Sequence, residues 1–192
     1  MQVTNVQRKA VVRFLLIALG IYGLLTHGWP DFNDFYARGF RAALRATLVS
    51  PTGVREVDIP KEQIVAGATS IVMANRKLLA PDGSGPIRNV ILPNSTFWHA
   101  TALLLALSLS TPCRWSLRLT ATLVGLLGLY AFIAGTLSFA LWNEGRHVGL
   151  SAISPAWAAT TDRLETILVE QAALFVPFLA WFVGLWPRLK RT

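Results

Sequence analysis

Between Trp115 and Trp142 the chain carries a single charged side chain, Arg118. As a helix this run would rise about 42 Å at 1.5 Å per residue, more than the roughly 30 Å hydrocarbon core of a bilayer. A hydrocarbon solvent leaves no water for backbone amides, so a run of this kind is helical if it spans. Three further apolar runs accompany it: Ala10–Trp29, Phe97–Thr111 and Thr166–Trp186. The 192 residues are 53% hydrophobic and 15% charged, with a mean hydropathy of +0.47, outside the range of ordinary soluble domains. The expected fold is therefore an all-α integral membrane protein. It has four transmembrane helices and a small extracytoplasmic α+β segment between helices 1 and 2.

The first run reads as a retained signal anchor over residues 1–29. It is longer than a signal-peptide core, and "THGWPDF" lacks a small-residue cleavage site. The second run is short for a span and ends at Pro112. It pairs with the third as a helical hairpin over 97–142 that turns at "TPCRWSLR". The fourth span and a basic tail occupy 166–192, with Pro177 expected to kink the helix. The net charge of +8 is concentrated where it reports topology. Arg8, Lys9 and Arg13, then Arg114 and Arg118, then Arg188, Lys190 and Arg191 are acid-free clusters beside apolar runs, and by the positive-inside rule they share one side. Both termini are then cytoplasmic, with residues 30–96 and 143–165 periplasmic. No nucleic-acid partner is expected. The lone Cys113 excludes an intrachain disulfide framework.

Within the first periplasmic segment, 31–49 repeats aromatic and apolar residues at helical spacing, with Arg38, Arg41 and Arg45 as a second stripe. That pattern predicts an amphipathic helix lying either on lipid, with the arginines contacting phosphates, or on the protein's own external domain. From 54 to 93 the runs "VREVDI", "QIVAGATSIVMAN" and "IRNVIL" predict short strands, with a hairpin tip near Asp82-Gly83 in "PDGSGP". The last helix is expected to begin between 155 and 163. Ser154-Pro155 offers one start, and Asp162 with Glu165 offers a capping-box-like second.

Candidate sites follow from this topology. His27, His99 and His147 lie at the outer ends of spans, with Glu144 nearby, a residue set suited to zinc or copper. The alternative is that these rings anchor the interface, as Trp29, Trp98 and Trp142 would. Glu170 is ionisable within a span, and such groups mark function or partner contact unless they are locally paired. Together with His99 and Asn94 it forms the polar intramembrane set. Asn94-Ser95-Thr96 matches a glycosylation sequon but sits at the membrane surface. Cys113 has no histidine on its side to act as base, which argues against thiol catalysis. No phosphate loop and no catalytic constellation is present, and neither a catalytic residue nor a cofactor is expected.

An anchor, an external segment with short strands, "NSTFWHATALLLALSLSTP" leading into a hairpin, and a last span with Glu170 seven residues before Pro177 together resemble the exosortase-associated membrane proteins of bacteria. The resemblance covers most of 10–187 in architecture. Its motifs are Asn94 before the second span and the polar-to-Pro spacing in the fourth, where family members commonly have Gln in place of Glu170. It implies a bacterial inner-membrane accessory to exosortase-type protein sorting or exopolysaccharide export, with membrane lipids and other envelope-complex proteins as partners. The expected function is thus a non-enzymatic accessory or assembly subunit. The alternative is a membrane enzyme or metal-handling protein using the His/Glu cluster at the periplasmic face.

Overall fold

The computed structural model describes residues 5–27, 30–48, 57–59, 68–80, 82 and 84–189. Helices dominate: α1 Asn5–His27, α2 Pro30–Leu48, α3 Asn94–Ser110, α4 Trp115–Gly145, α5 Pro155–Thr166 and α6 Ala172–Leu189. Three strands, β1 Val57–Asp58, β2 Ala68–Ala74 and β3 Ile87–Pro93, form one antiparallel sheet in the order β1-β2-β3. Two described helical segments, Lys9–His27 and Trp115–Val148, are long and apolar enough to cross a membrane. Phe97–Ser110 and Phe175–Gly184 are shorter apolar helices. The chain divides into two compact units, residues 1–30, 97–133 and 172–192 in one and residues 31–96 and 134–171 in the other.

The first unit is helical. The run Phe97–Ser110 is apolar all round because it is enclosed nearly all round: Phe97, Trp98, Ala102, Leu104, Ala106 and Leu107 are buried. Small residues let its neighbours approach. A Cβ on Gly125 would lie 3.1 Å from Leu104 Cδ1, and one on Gly184 would lie 2.8 Å from the backbone oxygen of Ala121. At the α3–α4 turn, Arg118 Nη2 donates to the Thr111 carbonyl at 2.8 Å, and Trp181 Nε1 donates to Thr111 Oγ1 at 2.9 Å. The guanidinium also lies 5.4 Å over the Trp115 ring. Phe14 stacks on Trp181 with centroids 5.8 Å apart, and Tyr22 shares a 2.9 Å hydrogen bond with His99. The outer surface is strongly apolar: Leu16, Leu19, Leu24, Leu123, Leu127, Phe175, Leu179 and Val183 are all exposed.

The second unit holds the sheet. β2 is buried along both faces, as a β-branched central strand should be, with Ile71 and Met73 inside. The β2–β3 loop turns at Asp82, whose carboxylate accepts from the Ser84 amide at 2.9 Å and hydroxyl at 2.7 Å. These bonds hold the Asp82 carboxyl below its ordinary range. The hairpin tip expected from "PDGSGP" is thus found, although Pro81 and Gly83 lie outside the described residues, as do 49–56 and 60–67, where parts of the expected strands fall. Helix α2 matches the amphipathic helix expected at 31–49. Its Ala37, Phe40 and Leu44 are buried against the chain itself, and Arg45 Nε donates to the Ile59 carbonyl at 3.4 Å. α5 begins at Pro155 after Ser154, as expected, although the Ser154 side chain makes no capping hydrogen bond. Asp162 and Glu165 do not start a helix. They lie inside α5, and their carboxylates serve the site described next. The helix then widens to π geometry over Ile167–Gln171.

Candidate functional site

The end of α4 positions the site. Gly149 adopts φ +71°, the left-handed conformation open to glycine, and closes the short 3-10 turn Arg146–Val148 that follows α4. The side chain of Asn75, from the β2–β3 loop, donates to the Gly149 carbonyl at 3.0 Å. This ties the turn to the sheet and leaves Glu144 beside β3, where Arg88 Nε meets Glu144 Oε2 at 2.7 Å. Two residues on, Arg146 Nη2 holds both carboxylate oxygens of Asp162 on α5, at 2.7 and 2.8 Å.

These elements surround a pocket of about 670 Å³. One wall is five consecutive residues of β3, Arg88–Leu92. The others are Glu144, Asp162, Glu165, Thr166 and Val169. Asn143 supports the acidic wall from beneath. It is 1% exposed, and its amide donates to Asp162 Oδ1 at 3.0 Å and to Glu165 Oε2 at 2.6 Å, while its own Oδ1 is buried without a partner among the described residues.

The three carboxylates are not equivalent. Glu144 and Asp162 each have an arginine. The hydrogen bond from Arg146, then that from Asn143, holds Asp162 below the ordinary carboxylate range. Glu165 has no ion pair among the described residues. Burial pushes its carboxyl up, the Asn143 bond opposes this, the charges of Glu144 and Asp162 add to it, and the more distant charge of Arg146 works against it. Among the described residues the pocket therefore has three carboxylates against two arginines, and Glu165 is the one without a direct ion pair.

The residues expected from sequence are distributed differently. His99 is half-buried against Tyr22, His27 Nδ1 is 2.8 Å from Thr26 Oγ1, and His147 Nε2 accepts from Arg146 Nε at 3.3 Å. Glu144, the carboxylate of that set, is taken by Arg88. Among the described residues no three His, Cys, Asp or Glu side chains gather as metal ligands. Of the expected set, His27 and His99 belong to the first unit and His147 and Glu144 to the second, and each of the four has a partner within its own unit. Glu170 falls in the π-helical segment and Asn94 opens α3, but both side chains lie outside the described residues. Arg38 Nε turns back to the Asp34 carbonyl at 3.3 Å, and Arg41 is half-buried.

Sequence reasoning missed Asn143, Arg88 and the pocket role of Asp162 and Glu165. The spacing of Asp162 and Glu165 places them on one helical face, and that was the available signal. Nothing local in the chain announces that β3 stands opposite. No protein-family model matches this chain, and no curated protein or solved structure matches it either.

Proposed function

We propose that this chain is a multi-pass protein of the bacterial inner membrane and a non-enzymatic accessory or assembly subunit of an envelope complex. In this reading it has four spans and cytoplasmic termini, and it serves exosortase-type protein sorting or exopolysaccharide export. The membrane assignment is supported by the large apolar side chains exposed along α1, α4 and α6, since contiguous exposed apolar surface marks membrane or protein contact. The shorter α3 and α6 cross with them, α3 enclosed by its neighbours.

The observation that carries the accessory role is the pocket of the second unit. Two of its three carboxylates are already neutralised by Arg88 and Arg146, and the wall opposite, beyond Arg88, offers only the neutral Asn89 and the apolar Val90, Ile91 and Leu92. Such a lining suits recognition rather than bond-making. Deleting the gene should leave an exosortase-type substrate unprocessed, or polysaccharide unexported, while the complemented strain recovers. Detergent extracts should yield the chain bound to a membrane protein of that system. A monodisperse monomer together with a normally sorting deletion strain would overturn the proposal. Cys113 reports topology: a membrane-impermeant maleimide should label it only after the cytoplasmic face is opened.

A further inference from the structure

We propose that the pocket beside β3 receives an extended peptide segment of a partner protein. The segment adds as a strand to the free edge of β3 and places a lysine or arginine against Glu165.

Three observations lead there. First, β3 is an edge strand: β2 pairs with one side of it along its whole length, and no described strand pairs with the other. An edge left in this state offers a row of backbone donors and acceptors to an incoming strand. Second, the pocket runs along that strand. Its five β3 residues span about 17 Å at 3.3–3.4 Å per residue, the length of a typical strand. Ile91 is 48% exposed within this wall and offers an incoming side chain an apolar neighbour. Third, the opposite wall has a charge to be met. Glu144 and Asp162 are spoken for, whereas among the described residues Glu165 is hydrogen-bonded by the neutral amide of Asn143 and has no ion pair. A cation inserted there would complete the pattern already set by Arg88 and Arg146. The π-helical turn begins immediately after α5 and contributes Val169 to the same wall. π turns recur at functional sites.

The occupant is thus a polypeptide: a backbone edge selects for strand-forming chain, and the lone carboxylate selects for a basic side chain within it. This inference rests on the accessory-subunit reading only in taking the partner to be another protein.

The test is to pan the full-length protein in detergent against a random heptapeptide library. Enriched sequences should alternate β-branched or aromatic residues and carry Lys or Arg at one recurring position. A synthetic peptide of that sequence should bind about tenfold or more weakly to Glu165→Gln, the scale of one charge-assisted hydrogen bond. N-methylation of alternate peptide amides, or Glu in place of the peptide's basic residue, should abolish binding. Thr166→Arg, at an exposed position on the pocket wall, should do so without disturbing the fold. No enrichment, enrichment without a basic residue, or equal binding to Glu165→Gln would each overturn the proposal. Equally tight binding of the chain's own IRNVIL segment, with dimers in solution, would assign the edge to a second copy and also overturn it. If panning fails while the deletion and co-purification results above hold, the accessory role stands and docking uses another surface. If panning succeeds and those fail, the groove stands without that role.

Discussion

Replacing Gly184 with alanine probes a close approach of α6 to α4. The added Cβ would lie 2.8 Å from the backbone oxygen of Ala121 and 3.5 Å from its carbonyl carbon and Cα. Ordinary carbon–oxygen contacts begin at about 3.3 Å, and a backbone carbonyl cannot rotate aside as a side chain can. The two helices must part by roughly half an ångström, and overpacking of this kind costs about 1–3 kcal/mol. Against this, alanine exceeds glycine in helix propensity by about 1 kcal/mol, so the net loss should be near 1 kcal/mol and at most about 2. Gly128→Ala is the control, because nothing lies within 4 Å of its added Cβ, and that variant should hold or gain stability. Unfolding in mixed micelles by SDS titration measures both. A separation of about 1–3 kcal/mol between the two variants is expected, that being the overpacking cost alone. If Gly184→Ala were as stable as Gly128→Ala, the close packing of α4 and α6 would be refuted.

Glu165→Gln should stabilise the protein at neutral pH. Burial raises the folded-state pKa of Glu165 above its unfolded value of 4.5, so folding loses stability as pH rises from 4.5 through the folded value, and the penalty is complete above it. Melting temperatures at pH 7 and pH 4 should show the variant ahead only at pH 7. Asp162 runs the other way: its contribution is complete above its unfolded value of 3.8 and disappears as pH falls through its depressed folded value. Asn143→Leu removes a buried amide that donates to Glu165, and chemical denaturation should show a loss of about 1–3 kcal/mol. Gly149→Ala forces a Cβ into a left-handed residue with φ +71°, 3.1 Å from Leu78 Cδ1. It should cost about 1–2 kcal/mol, with Gly149→Asn losing less because asparagine visits that region.

Much of this architecture was legible because it is written in local periods. The helical spacing at 31–49, the β-branched runs ending at Ala74 and Pro93, and the turn at Asp82 are each set by neighbours in sequence. The central position of α3 was harder to see. Its lack of any polar face reads as lipid exposure, yet it is equally what an enclosed helix requires, and Ala100, Ala102 and Ala106 are small because helices press on them. The site was less legible still. Three histidines near the ends of spans suggest a common level, but sequence position does not name a ring's partner, and each ring meets a group of its own unit. The residues that do converge, Arg88, Glu144, Asp162 and Glu165, come from three elements joined only by the fold.

α1 shows how such a protein can be assembled. Among the described residues two aromatic contacts tie it to its unit, Phe14 on Trp181 and Tyr22 with His99, and they are eight residues apart, about 12 Å along the helix axis. Beyond Phe14 and Tyr22 themselves, Ala18 is buried and Ile21, Gly23, Leu25 and Thr26 are half-buried, while the rest of its apolar window is exposed. In lipid, apolar surface of this kind gains nothing by leaving the hydrocarbon for another helix, so association depends on specific contacts. In the four-span reading, α1 can thus enter the bilayer as an independent rod and wait. Docking is then a separate, later event, for which the described residues supply one stacked pair, one hydrogen bond and the buried Ala18, so the helix can be inserted before the structure it joins exists.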